Sequence, residues 1–172
     1  MNLLDGVRSV FVGQAKAQNI AYYRAFCSYN MKDYQIASDL FKQFIQTYPE
    51  SSFAEECLYM MGFCDYKASP KPRLDQQVTE KAIREFQLYL SRYPYSMRKD
   101  KVNTYMDEMR DKLSYKAYLS AKNYYLREHY KAAVISLQNC LKDYPGSKYR
   151  EEIMYMLFVS KYQMAVNSVE DK

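Results

Sequence analysis

Apolar and aromatic residues recur along this chain at spacings of three and four, which place side chains on one face of an α-helix. The clearest pattern is a small residue with Tyr three positions before it and four after it. It occurs as Tyr22-Ala25-Tyr29, Tyr59-Gly62-Tyr66 and Tyr118-Ala121-Tyr125. Because a small residue lets a second helix approach closely, each copy predicts the first helix of a helical hairpin.

A second motif follows each of these copies. It reads Ala-x3-(Phe/Leu)-x6-Tyr-Pro-x-Ser and begins at Ala37, Ala82 and Ala133. Proline cannot continue a helix, so each Tyr-Pro is expected to end the second helix of its hairpin. Serine two residues after Pro can cap the helix that follows. Together the two motifs match the tetratricopeptide pattern of paired antiparallel helices.

The repeats predict an all-α, tetratricopeptide-like, right-handed helical solenoid that forms a single domain over residues 1–172. Complete hairpins are expected at about 15–49, 50–94 and 97–145, and an incomplete unit at 146–172. Two departures from the repeat are informative: a loop at 67–76 contains two prolines, and a long helix extends the third hairpin. The predicted helices are 3–12, 15–30, 34–47, 52–67, 76–92, 97–127, 131–143 and 148–167.

The repeat alanines are expected to be buried against the preceding helix. The last predicted helix should bury only one side of its apolar face, which includes Ile153, Met154, Leu157, Phe158 and Tyr162. We therefore expect this chain to expose an apolar patch there and to self-associate through it.

Composition narrows the classes of function. The 172 residues carry 25 basic and 20 acidic side chains, for a net charge of +5. These charges are spread along the chain, without the basic stripe of a nucleic-acid-binding protein. No apolar run approaches the roughly 20 residues of a membrane span, and the first residues do not resemble a secretory signal. The pattern therefore predicts no nucleic-acid partner and no membrane span.

Candidate catalytic and metal-binding residues are few. All four cysteines (Cys27, Cys57, Cys64 and Cys140) fall at repeat positions, so we expect buried thiols and no metal site. The single histidine, His129, lies in a predicted turn. The sequence predicts no catalytic residue, no cofactor and no enzymatic activity.

A set of aromatic residues at equivalent repeat positions does suggest a function. In tetratricopeptide arrays the first helix of each hairpin lines the concave side, and the positions three before and one after the small residue point into it. Here these positions are Tyr22, Phe26, Tyr59, Phe63, Tyr118 and Lys122. Rigid aromatic side chains suit an extended peptide or a partner helix. The alternative is that several of them pack between neighbouring hairpins.

The chain also resembles a known family. The insertion Ser69-Pro70-x3-Leu74-Asp75-Gln76-x2-Thr79, the repeated Tyr-Pro-x-Ser endings and a long helix carrying Arg110-x-Lys112-Leu113 are similar to the BamD family. These are tetratricopeptide lipoproteins of the machine that folds β-barrel proteins into the outer membrane of Gram-negative bacteria. The resemblance covers about residues 15–172. It also draws attention to the charged residues of the insertion loop, Lys71, Arg73 and Asp75.

What the resemblance implies is a non-enzymatic scaffold on the periplasmic face of the outer membrane. Its expected partners are the periplasmic region of a BamA-like barrel assembly protein and segments of unfolded outer-membrane proteins. Because members of the family carry a signal peptide and a lipid-modified cysteine, we expect this chain to be a soluble fragment lacking both ends. The full-length protein would be lipid-anchored.

Two other classes of binding protein stay open. One is the periplasmic tetratricopeptide protein of the Tol-Pal envelope system, which shares the Tyr-Pro-x-Ser endings but has regular repeats. The other is a SusD-type glycan-binding lipoprotein, which would need a large lobe outside the repeats.

Overall fold

The computed structural model describes residues 15–170, and this part of the chain contains seven α-helices and no β-strand. The all-α prediction is confirmed, and every predicted helix in this range is found to within three residues at each end. The long helix runs unbroken through Ser114. The predicted helix at 3–12 lies outside the described residues. In order, the helices are α1 (Ala15–Asn30), α2 (Tyr34–Thr47), α3 (Ala54–Ala68), α4 (Gln77–Arg92), α5 (Lys99–Leu126), α6 (Tyr130–Asp143) and α7 (Arg150–Glu170).

The helices belong to two compact units. Unit 1 contains residues 15–70 and 74–109, and unit 2 contains residues 71–73 and 110–170. In unit 1 consecutive helices pack together, α1 on α2, α2 on α3 and α3 on α4, and in unit 2 α6 packs on α7. This pairing is that of a tetratricopeptide-like solenoid. The assignment of all 172 residues to one domain stays a prediction.

The Tyr-Pro-x-Ser motif forms the same turn in all three copies. The amide of each Tyr donates to a carbonyl four residues earlier and ends the helix, at Tyr48, Tyr93 and Tyr144. The hydroxyl of each Ser then accepts the backbone N–H two residues later at 3.3 Å, and the next helix begins one residue after that donor. The serine therefore bonds to the residue just before each new helix, and at Phe53, the residue that precedes α3, no side-chain cap bond is formed.

Close helix packing depends on the small residues. Ala37, Ala82 and Ala133 are all 0% exposed, which confirms the prediction that they are buried. At Gly62 of α3 the approach is closer still, because a Cβ there would lie 2.9 Å from Cδ1 of Phe86 in α4. The ring of Phe86 is itself fully buried, so it has little room to move away.

Unit 1 also buries a cluster of charged side chains between α2, α3 and α4. Asp65 is 1% exposed and Glu85 is 8% exposed. The ammonium of Lys81 lies 2.8 Å from Oδ2 of Asp65 and 3.7 Å from Oε1 of Glu85. Burial, followed by the neighbouring Asp65, raises the pKa of Glu85 to about 8. At neutral pH the carboxyl of Glu85 is therefore mostly protonated.

In unit 2, α7 has one buried and one exposed side. Ile153 is fully buried and Leu157 packs against the core formed with α5 and α6. Met154, Tyr155, Phe158 and Tyr162 are between 52% and 69% exposed. The predicted exposed apolar face is confirmed, and self-association through it stays a prediction.

The cysteine prediction is correct at three positions and wrong at one. Cys57, Cys64 and Cys140 are buried thiols, whereas Cys27 is exposed. Cys27 and Cys64 each lie two residues after their small repeat residue. Cys64 in α3 belongs to the core of unit 1 with Ala82 and Phe86 of α4. Cys27 in α1 is not part of that core, so the same repeat position is open to solvent there.

Candidate partner-binding surfaces

Six aromatic side chains form a continuous row in unit 1. Each is half-buried, so part of every ring reaches the surface. Neighbouring ring centroids along the row lie 4.5–6.5 Å apart. We call this row the aromatic strip; it consists of Tyr22, Phe26 and Tyr29 from α1, Phe63 and Tyr66 from α3, and Tyr105 from α5.

Hydrogen bonds to carboxylates fix two of the phenols in the strip. The hydroxyl of Tyr22 donates to Glu56 at 2.9 Å, and that of Tyr66 donates to Glu108. Burial and then the bond to Glu56 raise the pKa of Tyr22 well above its usual range. The bond to Glu108, followed by burial, raises the pKa of Tyr66 to about 12. Both phenols therefore stay neutral donors at physiological pH, and their rings are held in place.

Cations lie over the rings at one end of the strip. The Lys67 ammonium is 5.2 Å from the centroid of Phe63 and 5.8 Å from that of Tyr66. Lys101 lies 6.0 Å from the centroid of Tyr105. Cation–π contacts of this kind stabilise the folded protein modestly when they are exposed to solvent. They give the aromatic surface a charged rim, as protein interfaces commonly have.

Three of the predicted groove residues, Tyr22, Phe26 and Phe63, lie in the strip. Tyr59 does not, because it is only 7% exposed and packs against Phe86 and Tyr89 of α4. It stacks beneath Phe63, with ring centroids 5.7 Å apart. Tyr59 thus supports the strip from the core side, which matches the alternative that some of these residues pack between hairpins.

The other three members of the strip were not among the predicted groove residues. Tyr29 and Tyr66 lie four residues after the small repeat residue, which is not one of the two positions predicted to line the groove. Tyr105 was not singled out, although the sequence contains a signal for it. It lies eleven residues after Pro94, close to the ten that separate Pro49 from Tyr59. The first part of α5 therefore acts as the first helix of an ordinary repeat.

The last two predicted groove residues, Tyr118 and Lys122, lie in unit 2. Tyr118 is 5% exposed and stacks on Tyr149 at 4.4 Å. The ammonium of Lys122 donates to the Tyr118 hydroxyl at 2.8 Å and to Glu152 at 2.7 Å. The bond to Glu152, followed by that to Tyr118, raises the pKa of Lys122 above its usual range. This lysine is consequently held in place at the surface as a permanent cation.

The insertion loop contributes to a second surface in unit 2. Lys71, Arg73 and Asp75 are all exposed. Arg73 and Lys122 both line a cleft of about 500 Å³. We call this the basic cleft; it is lined by Arg73, Lys116, Leu119, Ser120, Lys122, Asn123 and Leu126. The structure thus brings together one predicted loop residue and one predicted groove residue.

Neither the aromatic strip nor the basic cleft includes a His, Cys, Asp or Glu side chain that could ligate a metal ion. Within residues 15–170 no three His, Cys, Asp or Glu side chains are grouped closely enough to hold a metal ion. Burial raises the pKa of the thiols of Cys57 and Cys64 to about 12, so they are poor nucleophiles at neutral pH. Across the same residues, no helix has both the length and the hydrophobicity to cross a bilayer.

Comparison with known proteins identifies one family. A family model described as outer membrane lipoprotein, and named YfiO, matches residues 2–172. No curated protein matches the chain. The family match covers both units, and therefore both the aromatic strip and the basic cleft.

Proposed function

Because this chain belongs to the YfiO family of outer membrane lipoproteins, we propose that it is a non-enzymatic scaffold of the machinery that assembles β-barrel proteins in the outer membrane. It acts at the periplasmic face and is held there by a lipid anchor. Its aromatic strip receives extended segments of unfolded outer-membrane proteins. A BamA-like barrel assembly protein is its stable partner.

The observation that carries this proposal is the spacing of the rings in the strip. In an extended chain every second side chain points to the same side, with a repeat of about 6.6 Å. Neighbouring rings of the strip are 4.5–6.5 Å apart. Successive same-side residues of an extended peptide can therefore each meet an aromatic ring.

Membrane-spanning β-strands have the matching pattern. Their lipid-facing positions are apolar and alternate with lumen-facing positions that are polar. Before such a segment folds, its apolar side chains have no lipid to face. A row of rigid rings with a charged rim can bind that apolar side without ordering long flexible side chains, so the entropy cost of binding is small.

A direct test uses a fluorescent decapeptide in which valine or tyrosine alternates with serine or lysine. Its binding to the wild-type chain is followed by fluorescence anisotropy. Phe63→Leu removes the ring and keeps an apolar side chain, and Tyr66→Ala removes a half-buried ring. Each is expected to weaken binding roughly 5- to 30-fold, because aromatic anchors typically contribute about 1–2 kcal/mol or more. Circular dichroism establishes that the variants are folded.

The matched control is Tyr95→Ala, which removes a tyrosine that is 98% exposed and lies outside the strip. It should bind the peptide like the wild type. A peptide of the same composition with its apolar residues contiguous should bind more weakly than the alternating one. Equal binding of both peptides, or preferential binding of an oligosaccharide, would contradict the proposed role and favour a glycan-binding protein.

A further inference from the structure

The basic cleft of unit 2 has an unbalanced set of charges. Three of its seven lining side chains, Arg73, Lys116 and Lys122, are cationic, and none is acidic. Its volume of about 500 Å³ is within the range of sites that hold a few residues or a small molecule. It shares no residue with the aromatic strip.

The cleft is built by one side of a long helix and by a restrained loop. Lys116, Leu119, Asn123 and Leu126 follow one another in α5 at spacings of three and four, so they lie along one side of it. Arg73 comes from the loop and directly follows Pro72. Proline fixes its own backbone φ, which reduces the number of conformations open to the loop.

Lys122 and Arg73 differ in how far their charge is already balanced. The ammonium of Lys122 lies 2.7 Å from a carboxylate oxygen of Glu152. Arg73 makes no ion pair with any of the residues 15–170. Its guanidinium, with five donors in a planar fork, is suited to a carboxylate. Arg73 therefore contributes a positive charge that no carboxylate of the described residues balances.

The apolar part of the lining narrows the class of ligand. Leu119 is half-buried and Leu126 is 66% exposed. A small inorganic anion would leave both leucines unused, and a flat bilayer surface would not enter a recess. Ser120 and Asn123 add side chains that can bond to peptide groups.

We propose that the basic cleft binds an acidic segment of a partner protein. Carboxylates of that segment meet Arg73 and Lys116, and a neighbouring apolar side chain packs on Leu119 and Leu126. The ligand of this cleft is thus recognised mainly by its negative charge, whereas the segments assigned to the strip are recognised by their apolar side chains. The two surfaces can be occupied by different proteins.

The probe for a test is a fluorescent hexapeptide in which glutamate alternates with leucine. Arg73→Glu and Lys116→Glu are each expected to weaken its binding at least about tenfold, because they place like charges opposite each other. Arg73→Lys, which keeps the charge and loses the planar fork, should weaken binding less than Arg73→Glu does. The matched control is Lys161→Glu, which makes the same change of charge at an exposed position of α7 outside the cleft. Binding should also weaken from 50 to 200 mM salt.

The apolar half of the proposal has its own test. Leu126→Ser is expected to weaken the glutamate-leucine peptide severalfold and to leave a glutamate-glycine peptide unaffected. Equal losses in Lys161→Glu and Arg73→Glu would show nonspecific attraction and overturn the site. So would undetectable binding of the peptide at millimolar concentration. Stronger binding of inorganic phosphate, or of vesicles containing phosphatidylglycerol, would overturn the choice of a protein ligand.

Discussion

The rings of Tyr66 in α3 and Tyr105 in α5 stack with centroids 4.5 Å apart and planes inclined by 29°. The Tyr66 hydroxyl donates to Glu108, one turn beyond Tyr105 on the same helix. Stacked rings contribute about 0.5–1.5 kcal/mol beyond the area that they bury. This pair therefore joins the first part of α5 to α3 and completes the aromatic strip.

A double-mutant cycle measures that contribution. Tyr66→Ala and Tyr105→Ala should each destabilise unit 1, and together they should cost less than the sum by about 0.5–1.5 kcal/mol. Urea unfolding supplies the free energies. Pairing either change with Tyr95→Ala, far outside the stack, should give additive effects. Strict additivity of the Tyr66 and Tyr105 changes would mean that the rings do not interact in solution.

Gly62→Ala tests the close approach of α3 and α4. In an exposed helix this change stabilises by up to about 1 kcal/mol. Here the added methyl would meet Cδ1 of Phe86 at 2.9 Å, so we expect destabilisation of about 1–3 kcal/mol through overpacking. In Gly146→Ala the new methyl meets no atom within 4 Å, so the melting temperature should stay the same or rise slightly. A higher melting temperature for Gly62→Ala would show that the helices are farther apart.

The buried carboxyl of Glu85 predicts how stability changes with pH. Its folded pKa of about 8 lies above the ordinary value of 4.5, so between these pH values the folded protein keeps a proton that the unfolded chain has released. The free energy of unfolding should therefore fall as the pH rises from about 4.5 to about 8. The charged groups that face this carboxyl are Asp65 of α3, Lys42 of α2 and Lys81 of its own helix.

The neutral variant Glu85→Gln should lose most of that dependence and be more stable than the wild type at pH 9. Urea unfolding at a series of pH values measures the free energy of unfolding of both proteins. Glu80→Gln, an exposed position of the same helix, is the control and should follow the wild-type profile. An unchanged slope in Glu85→Gln would show that this carboxyl does not keep its proton in the folded protein.

Thiol labelling distinguishes Cys27 from the other cysteines. Cys27 is exposed, whereas Cys57, Cys64 and Cys140 are buried. Brief treatment of the folded protein with a maleimide should add one label, and denaturant should expose all four thiols. Intact-mass spectrometry counts the labels, and Cys27→Ser should remain unlabelled under native conditions. Labelling of a second thiol as fast as the first would contradict the burial of Cys57, Cys64 or Cys140, whichever carried the label.

The helices could be predicted closely because their ends depend on local chemistry. Each Tyr-Pro-x-Ser turn contains its own helix terminator and a serine hydroxyl that bonds to the residue before the next helix, so no distant contact is needed to place it. The same holds for Ala37, Ala82 and Ala133, where a small side chain marks close packing. The exposed face of α7 could likewise be predicted from periodicity.

The surfaces were harder to predict because equivalent repeat positions have different neighbours. Tyr22 and Tyr59 occupy the same position, yet Tyr59 is covered by α4 and Tyr22 remains half-buried. Cys27 and Cys64 differ for the same reason. Tyr105 was missed because it lies eleven residues after Pro94, one more than the spacing from Pro49 to Tyr59. Arg73 and Lys122 could not be placed at one cleft from sequence, since they are far apart along the chain.

Site-specific crosslinking in cells tests the central claim, that the strip receives unfolded barrel proteins, most directly. A photoreactive benzoylphenylalanine is placed at Phe63 or, as a control, at Tyr95 in the full-length protein. The account predicts that the Phe63 position forms adducts with newly exported outer-membrane proteins, mapped by mass spectrometry to segments of alternating apolar residues, and that Tyr95 does not. Adducts of equal yield from both positions, or none from Phe63, would contradict it.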